Sequence, residues 1–535
     1  MERKPAMDRQ ADNQIALARG FVRMCRRNLL RAKVADSSGL GLTGGGLLAG
    51  SLALRRVLRR EVLAQDERYV GILLPPSVGS VLANAALALD RRIAVNLNYT
   101  LSSELVNACL AQCGIRHVLT SPRLMERFPL KLDACPVMLE DLHGLVRRAD
   151  KLAAAAQTWL WPAAMLERWL GLTAVRPDDV LTVMFTSGST GEPKGVELTQ
   201  RNIGSNVAAL GRLIRLSGRD VLLGVLPMFH SFGYTTTLWT ALMLEPKAVY
   251  HYTPLEARQI GQLCRAHGCT VLIAAPTFLR AYLRRCAGED FRSLEVVFAG
   301  AEQLSAELAE AFQRRFGVRP VEGYGATELS PVVAANIPPN RADGSTGGLR
   351  EGTIGRPLAG IVVKVIDLES GRELGPGRQG MLLVRGPNVM KGYLGRPGLT
   401  AEVFRDGWYV TGDVATIDEE GFIRITGRAG RFSKIGGEMV PHLAVEAAIR
   451  SVLGLEDEPA ALAVTAVPDE KKGERLIVLH AGLPSGPEEI RRRLIDKGLP
   501  SLWIPAADAF RQVEAVPLLG TGKLDLERVR ELALG

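Results

Sequence analysis

Four hydroxyls, three glycines and a lysine crowd into one stretch, Thr186-Ser-Gly-Ser-Thr-Gly-Glu-Pro-Lys-Gly-Val196. Glycine lets backbone N–H groups approach an anion closely, the hydroxyls add donors, and lysine supplies charge, so the stretch is suited to wrapping phosphate. Thr186, Ser187, Gly188, Ser189, Thr190, Gly191 and Lys194 are the candidate phosphate contacts. A P-loop is excluded, because Gly188 to Lys194 has the wrong spacing and Gly195 stands where that motif needs Ser or Thr. The preceding run Val180–Phe185 is β-prone and a helical pattern begins near Gln200, which predicts strand, loop, helix.

Further groups able to manage phosphate chemistry recur down the chain. Gly323-Tyr-Gly-Ala-Thr-Glu328 carries a hydroxyl and a carboxylate, and Phe298-Ala-Gly-Ala-Glu302 precedes it. Tyr409-Val-Thr-Gly-Asp413 is followed by Gly427-Arg428, and Pro517-Leu-Leu-Gly-Thr-Gly-Lys523 places a lysine on a glycine loop. Pro227-Met-Phe-His230 puts a histidine into an apolar run, where it is either a reactive group or a satisfied core residue. Taken in order, these segments resemble the motifs of the adenylate-forming superfamily, which includes acyl-CoA synthetases, luciferases and peptide-synthetase adenylation domains.

The resemblance implies a reaction and a set of roles. A carboxylate would join the α-phosphate of ATP, with Mg²⁺, and pyrophosphate would leave. Negative charge accumulating on phosphorus then calls for cations and oriented donors more than for a nucleophile. Thr327 would contact phosphate, Glu328 would hold Mg²⁺ and Tyr324 would pack on adenine, whose edge Gly300, Ala301 and Glu302 would read. Asp413 and Arg428 would clamp the ribose, and Lys523 would neutralise charge where pyrophosphate departs. His230 would orient the carboxylate or gate the path of an incoming thiol, with Lys434 and Gly437 near that path. Two departures stand out. Gly430 occupies a hinge position where relatives often carry Asp or Lys, and Met381 replaces a common glutamate.

Within the superfamily, Arg431-Phe-Ser-Lys-Ile-Gly-Gly-Glu-Met-Val440 is similar to the acyl-acyl-carrier-protein synthetase half of bacterial bifunctional 2-acylglycerophosphoethanolamine acyltransferase/acyl-ACP synthetases. The likeness covers the chain from about residue 20 onward. No His-x-x-x-x-Asp acyltransferase motif precedes residue 150, since His143 is seven residues from Asp150. The expected function is therefore fatty-acid activation to acyl-AMP and transfer to a phosphopantetheine thiol of acyl carrier protein. A long-chain acyl-CoA ligase is the alternative, and a non-catalytic AMP-binding protein a further one.

These groups need elements to hold them. At 535 residues the chain exceeds one ordinary domain. Tyr69–Leu74, Val78–Leu89, Arg92–Asn96, Ser103–Gln112 and His117–Thr120 alternate strand and helix, and Val271–Ala274 and Val296–Ala299 resume as strands. The fold class is therefore α/β, parallel sheets with helices, in a large domain over 1–426 that ends in β-rich segments at Ile361–Ile366, Gly380–Val384 and Trp408–Thr411. A hinge at 427–431 leads to a small mobile α+β domain over 432–535, with a helix at His442–Leu453 and strands at Ala461–Val467 and Leu476–His480.

Composition narrows the partners. With 47% hydrophobic and 23% charged residues, this is the make-up of a globular protein. Net charge of +9 suits nucleotide, coenzyme A, an acidic carrier protein or a lipid surface, and without a recognition motif it does not argue for nucleic acid. Seven cysteines with no Cys-x-x-Cys read as reduced thiols, Cys109 and Cys113 being packing residues, and no export signal is visible; the expected location is cytoplasmic. Ser37–Leu54 and Val221–Leu244 are uncharged but broken by glycine, proline or polar residues, so neither reads as a membrane span. Residues 1–35 read as a basic helical segment with Ile15, Leu17, Phe21 and Met24 on one face. Residues 151–170 hold three of the six tryptophans, and Leu152, Ala156, Trp159, Leu166 and Trp169 recur at roughly helical spacing. That stretch either packs on the large domain or touches the inner face of the membrane peripherally.

Overall fold

A computed structural model of the chain describes residues 16–187, 192–342, 348–435, 438–455, 458, 461–469, 472–518 and 524–535. Its chain divides into two units, one of Met1–Thr186, Pro193–Val363 and Val384–Tyr409, the other of Ser187–Glu192, Lys364–Leu383 and Val410–Gly535.

The first unit is built on two sheets. One has nine strands, with a parallel centre of Val321–Gly325, Val296–Ala299, Val271–Ala274, Val221–Gly224, Lys247–Tyr250 and Ala32–Asp36 side by side. Antiparallel strands close both edges. The other has seven strands, ordered Gly392–Tyr393, Pro193–Thr199, Val180–Ser187, Ile93–Asn96, Tyr69–Ile72, His117–Thr120 and Cys135–Met138. Strands such as Val296–Ala299 and Ile93–Asn96 are buried along their whole length, the state expected of parallel strands covered on both faces. Helix Val78–Leu89 begins at Ser77, whose hydroxyl accepts from the Ser80 N–H while Ser80 accepts from the Ser77 N–H. Helix Ser103–Cys113 stops at Gly114, with φ of 62°, a left-handed conformation that glycine adopts without strain. Cys109 and Cys113 are both buried, and burial pushes their thiols up to about 12, which bears out their reading as packing residues.

Three expectations need correction. Residues 17–27 form the N-terminal helix, with Leu17, Phe21 and Met24 buried, but Ala32–Asp36 is a strand. Its polar residues disguise it: the fully buried Lys33 ammonium donates to the carbonyls of Leu244 and Pro246, and Asp36 accepts from the Val78 N–H at 2.8 Å. Secondly, Pro193–Thr199 is a strand standing between the phosphate-type loop and helix Gln200–Leu213. Its residues pair with Gly392–Tyr393, so Lys194 is a strand residue. Thirdly, 151–170 forms two helices, Arg148–Trp159 and Ala163–Trp169, with Pro162 opening the second. Leu166 is buried while Leu152, Trp159 and Trp169 are exposed, so the apolar residues do not share one face. Beside Leu166, the buried Glu167 carboxylate accepts from Arg19 at 2.8 Å and Arg23 at 2.6 Å.

In the second unit a strand pair, Trp408–Ile417 with Ile423–Arg428, leads through the short turn Ala429–Arg431 to a second sheet. That sheet orders Glu438–Pro441, Phe432–Ile435, Gly473–His480 and Leu462–Asp469, with Phe510–Gln512 added to Gly473–His480. Helices His442–Leu453 and Pro487–Asp496 supply Val445, Ile449, Ile490 and Leu494 to its core. Gly427 leaves room for the Phe432 ring, which would have to move if a Cβ were added, since that atom would lie 2.4 Å from it.

Candidate active site

The chemistry-bearing segments of the first unit sit at strand ends, where backbone changes direction. Strand Val296–Ala299 ends at the buried Gly300, whose added Cβ would meet the Phe232 ring at 2.9 Å. Ala301 follows in the left-handed region at φ 71°, an uncommon posture for a residue with a Cβ and one that marks functional turns. Glu302 accepts from the Thr277 hydroxyl at 2.7 Å and from its N–H at 3.2 Å, which pins this turn to helix Pro276–Arg285.

Strand Val321–Gly325 carries Tyr324 and runs into the single turn Thr327–Leu329, which holds Thr327 and Glu328. Gly325 has no room for a side chain, since a Cβ would lie 2.0 Å from the Pro331 carbonyl. The Glu328 carbonyl accepts from Met390 N–H at 2.8 Å, and its Oε1 accepts from the Tyr393 hydroxyl at 2.9 Å. Lys194 Nζ stands 5.7 Å from the centroid of the Tyr393 ring, so the expected phosphate lysine and the expected metal carboxylate share one aromatic neighbour. Tyr393 and Tyr409 were not anticipated as site residues. Glycine before Tyr393 is too weak a signal to have found it.

The apolar segment reaches the same turn. Ser231 Oγ donates to Thr327 Oγ1 at 3.3 Å, and the Thr235 hydroxyl donates to the Ser330 carbonyl at 2.9 Å. His230 is exposed and lies against the buried Phe229 ring at 4.7 Å, which removes its reading as a satisfied core histidine. Downstream, Thr240 N–H reaches back five residues to the Thr235 carbonyl, a wide helical turn of the kind often found at functional sites.

In the second unit Asp413 and Arg428 face each other across adjacent strands, Nε to Oδ1 at 3.2 Å. Gly412, at φ 75°, turns the chain just before Asp413, whose N–H donates to Thr411 Oγ1 at 3.0 Å. Gly430 lies in the turn Ala429–Arg431, and no atom lies within 4 Å of where its Cβ would sit. Gly188, Ser189, Thr190, Gly191, Gly437 and Lys523 fall outside the described residues, as do the side chains of Ser187 and Lys434.

A protein-built metal cage is not what these residues make: among the described residues no cluster of three or more His, Cys, Asp or Glu could hold an ion. One carboxylate, Glu328, in the same turn as the Thr327 hydroxyl fits Mg²⁺ arriving with a nucleotide, which keeps waters and phosphate oxygens as its other ligands.

Residues 25–394 match the family described as AMP-binding enzyme, well over half of the chain. The chain belongs to that family. A long-chain-fatty-acid–CoA ligase of Bacillus subtilis (strain 168) is 32% identical over 366 residues, covering 66% of this chain and 62% of that protein. The match thus spans less than two thirds of the Bacillus enzyme. A medium-chain-fatty-acid–CoA ligase of Ectopseudomonas oleovorans is 32% identical over 406 residues, 73% of this chain and 70% of that one. The crystal structure of ATP-bound MatB from Rhodopseudomonas palustris superimposes with a TM-score of 0.76 at 25% identity, over 96% of this chain and 98% of the other. MenE from Bacillus subtilis in complex with ATP and magnesium shares the fold, with a TM-score of 0.77 at 22% identity over 96% and 99%. The α/β fold expected for an adenylate-forming enzyme is borne out.

Proposed function

We propose that this AMP-binding enzyme uses ATP and Mg²⁺ to activate a fatty acid as acyl-AMP and passes the acyl group to a phosphopantetheine thiol. The observation that carries this reading is the Ser231–Thr327 contact, which joins the apolar segment expected to meet the acyl carboxylate to the turn expected to hold phosphate and metal. When bound, Mg²⁺ supplies charge neutralisation at the phosphates, and Glu328 would hold it. Thr327, Thr186 and the loop through Gly191 donate to phosphate, and Lys194 adds charge. Gly300, Ala301, Glu302 and Tyr324 shape the adenine site, and Asp413 accepts from the ribose hydroxyls with Arg428 beside it. His230, at the exposed end of the acyl segment, orients the carboxylate. Lys523 serves adenylation, while Lys434 and Gly437 line the thiol's path. The small domain, 432–535, turns on the hinge at 427–431 between the two half-reactions.

Acyl carrier protein is the acceptor favoured by the Arg431–Val440 segment, and coenzyme A is the second reading, favoured by the names of the fatty-acid CoA ligases it resembles. Mixed fatty acids, ATP, coenzyme A and holo-carrier protein, followed by product mass spectrometry, separate them. Acyl-carrier product in excess supports the first; acyl-CoA alone overturns it; neither thioester, with no ATP–pyrophosphate exchange, overturns the activity itself.

A cytoplasmic enzyme activating long-chain acids gains from lying against the bilayer in which they dissolve, and residues 151–170 are the proposed contact. Five of the fifteen exposed large apolar side chains among the described residues fall there: Leu152, Trp159, Leu160, Met165 and Trp169. Peripheral attachment suits them, as no described helix is long and apolar enough to cross a membrane.

A further inference from the structure

An ionised carboxylate offers two oxygens, and at Glu328 one of them is already committed. Its Oε1 accepts the Tyr393 hydroxyl proton at 2.9 Å, which leaves Oε2 as the oxygen open to a cation. One-oxygen ligation is what Mg²⁺ prefers, because its octahedral shell keeps several waters and phosphate oxygens.

The Tyr409 hydroxyl neighbours that of Tyr393. Since the Tyr393 proton goes to the Glu328 carboxylate, Tyr409 can act toward that hydroxyl only as a donor. Both rings are buried, at 7% and 5% exposure.

The segment bearing Tyr393 is tied at several points. Tyr393 pairs with Val196 on the strand of Lys194, and its N–H donates to Thr400 Oγ1 at 2.9 Å. Asn388 donates to the Leu329 carbonyl at 2.9 Å, and Met390 N–H to that of Glu328 at 2.8 Å. The strap from Asn388 to Tyr393 therefore links the strand that carries Lys194 to the turn that carries Glu328.

We propose that Tyr393, backed by Tyr409, is the positioning residue of Glu328, aiming one carboxylate oxygen at the metal and holding that aim in register with Lys194. The proposal rests on the reading of Glu328 as the Mg²⁺ ligand. Tyr393→Phe keeps the ring and removes only the hydroxyl. A lost hydrogen bond to a charged group typically costs about tenfold or more in the equilibrium it supports. In the full chain, Mn²⁺ binding read by electron paramagnetic resonance with a non-hydrolysable ATP analogue should weaken about tenfold. The Mg²⁺ concentration for half-maximal ATP–pyrophosphate exchange should rise by a similar factor, exceeding the fall in maximal rate. Tyr409→Phe, one bond further away, should show a smaller shift in the same direction, and carries the test should the first variant fail to fold. Glu328→Gln in the same two assays separates the layers. If it leaves Mn²⁺ affinity unchanged, Glu328 is not the ligand and the underlying reading falls. If it weakens Mn²⁺ binding while the folded Tyr393→Phe and Tyr409→Phe variants do not, the positioning role alone is overturned.

Discussion

The turn that carries Glu328 and the strand pair that carries Asp413 are built to different standards of rigidity. Around Glu328, in the first unit, the turn is held by Met390, Asn388, Tyr393 and Ser231, and the tyrosines behind it are buried. Around Asp413, in the second unit, the charged groups meet as a cross-strand pair, with the Arg428 side chain 62% exposed and the Asp413 side chain 16% exposed. A group that must hold a cation in one geometry through a reaction needs the first kind of support. A group proposed to grip a ribose, beside the proposed hinge at 427–431, is served by the second. On this contrast, substitutions in the first unit should strike chemistry, and those in the second should strike either nucleotide affinity or one half-reaction at a time.

The largest effect should come from Lys523→Ala. Removing a cation aimed at developing charge costs roughly 10²–10³-fold in rate. Acyl-AMP formation should fall by that much, while thiol transfer from supplied acyl-AMP stays within a few fold, because only the first half-reaction expels pyrophosphate. Equal loss of both steps, measured by pyrophosphate release and thioester yield, would break the division of labour. Asp413→Asn comes next. It should raise the KM for ATP about tenfold with little change in kcat, the signature of lost uniform binding. The variant should also discriminate less than the wild type between ATP and its deoxyribose analogues. Undiminished discrimination would remove Asp413 from the ribose.

How far the sequence alone revealed these two regions follows from the range of the interactions. Helix Val78–Leu89, strands His117–Thr120 and Val271–Ala274, and helix His442–Leu453 have the expected boundaries, because each is specified by its own local pattern of apolar residues. The strand Ala32–Asp36 was hidden, since Lys33 and Asp36 look like surface residues until Leu244, Pro246 and Val78 are brought to them. The Tyr393–Glu328 bond joins residues 65 apart, and no local pattern announces such a pairing. His230 was recognisable as a candidate, but its exposure depends on how Phe229 packs into the neighbouring core. Motif identity was thus legible, and the support around each motif was not.

Acid and base should loosen the two units from opposite sides. In the first, burial lifts the Glu322 carboxyl to about 7, so the folded state holds a proton that the unfolded chain releases near its ordinary value. Its contribution is intact below about pH 4.5 and is lost as pH rises through 7, with a slope of up to about 1.4 kcal/mol per pH unit. In the second, burial and the Arg431 charge push His442 down to about 3, and the neutral ring is hydrogen-bonded to Ser433 at 2.6 Å. That contribution is present above about pH 6.5 and is lost as pH falls toward 3. Glu322→Gln should therefore raise the melting temperature at pH 8 and leave it unchanged at pH 4.5. His442→Gln should lower it at pH 7 and flatten the decline on the acid side. Calorimetric scans at the three pH values check both signs, and a Glu322→Gln effect that did not grow with pH would refute the first.

The smallest expected effect tests whether the contrast between pinned and exposed groups extends to the Trp-rich helices. Glu167, on the second of them, is buried beneath two arginines, yet Trp169 two residues later is 47% exposed and Trp159 on the first helix is 45% exposed. Arg55 and Arg56 lie 5.4 and 5.5 Å from the Trp169 ring, and Trp161 meets the same ring edge-on at 5.8 Å. Arg55 is itself buried and paired with Asp90 at 3.0 Å, so it anchors the ring from the protein side, and the exposed indoles are what match the boundary of a headgroup layer. Changing both Trp159 and Trp169 to alanine should reduce co-sedimentation with anionic vesicles about three- to tenfold, an effect that added salt shrinks in the wild type. Acyl-AMP formation from a short soluble acid should be unaffected, since neither tryptophan belongs to the turns that hold Thr327 and Glu328. Wild-type emission should shift to the blue on adding the vesicles. If the folded double variant co-sediments as the wild type does, these side chains belong to the packing of their own helices, and membrane contact through 151–170 is excluded.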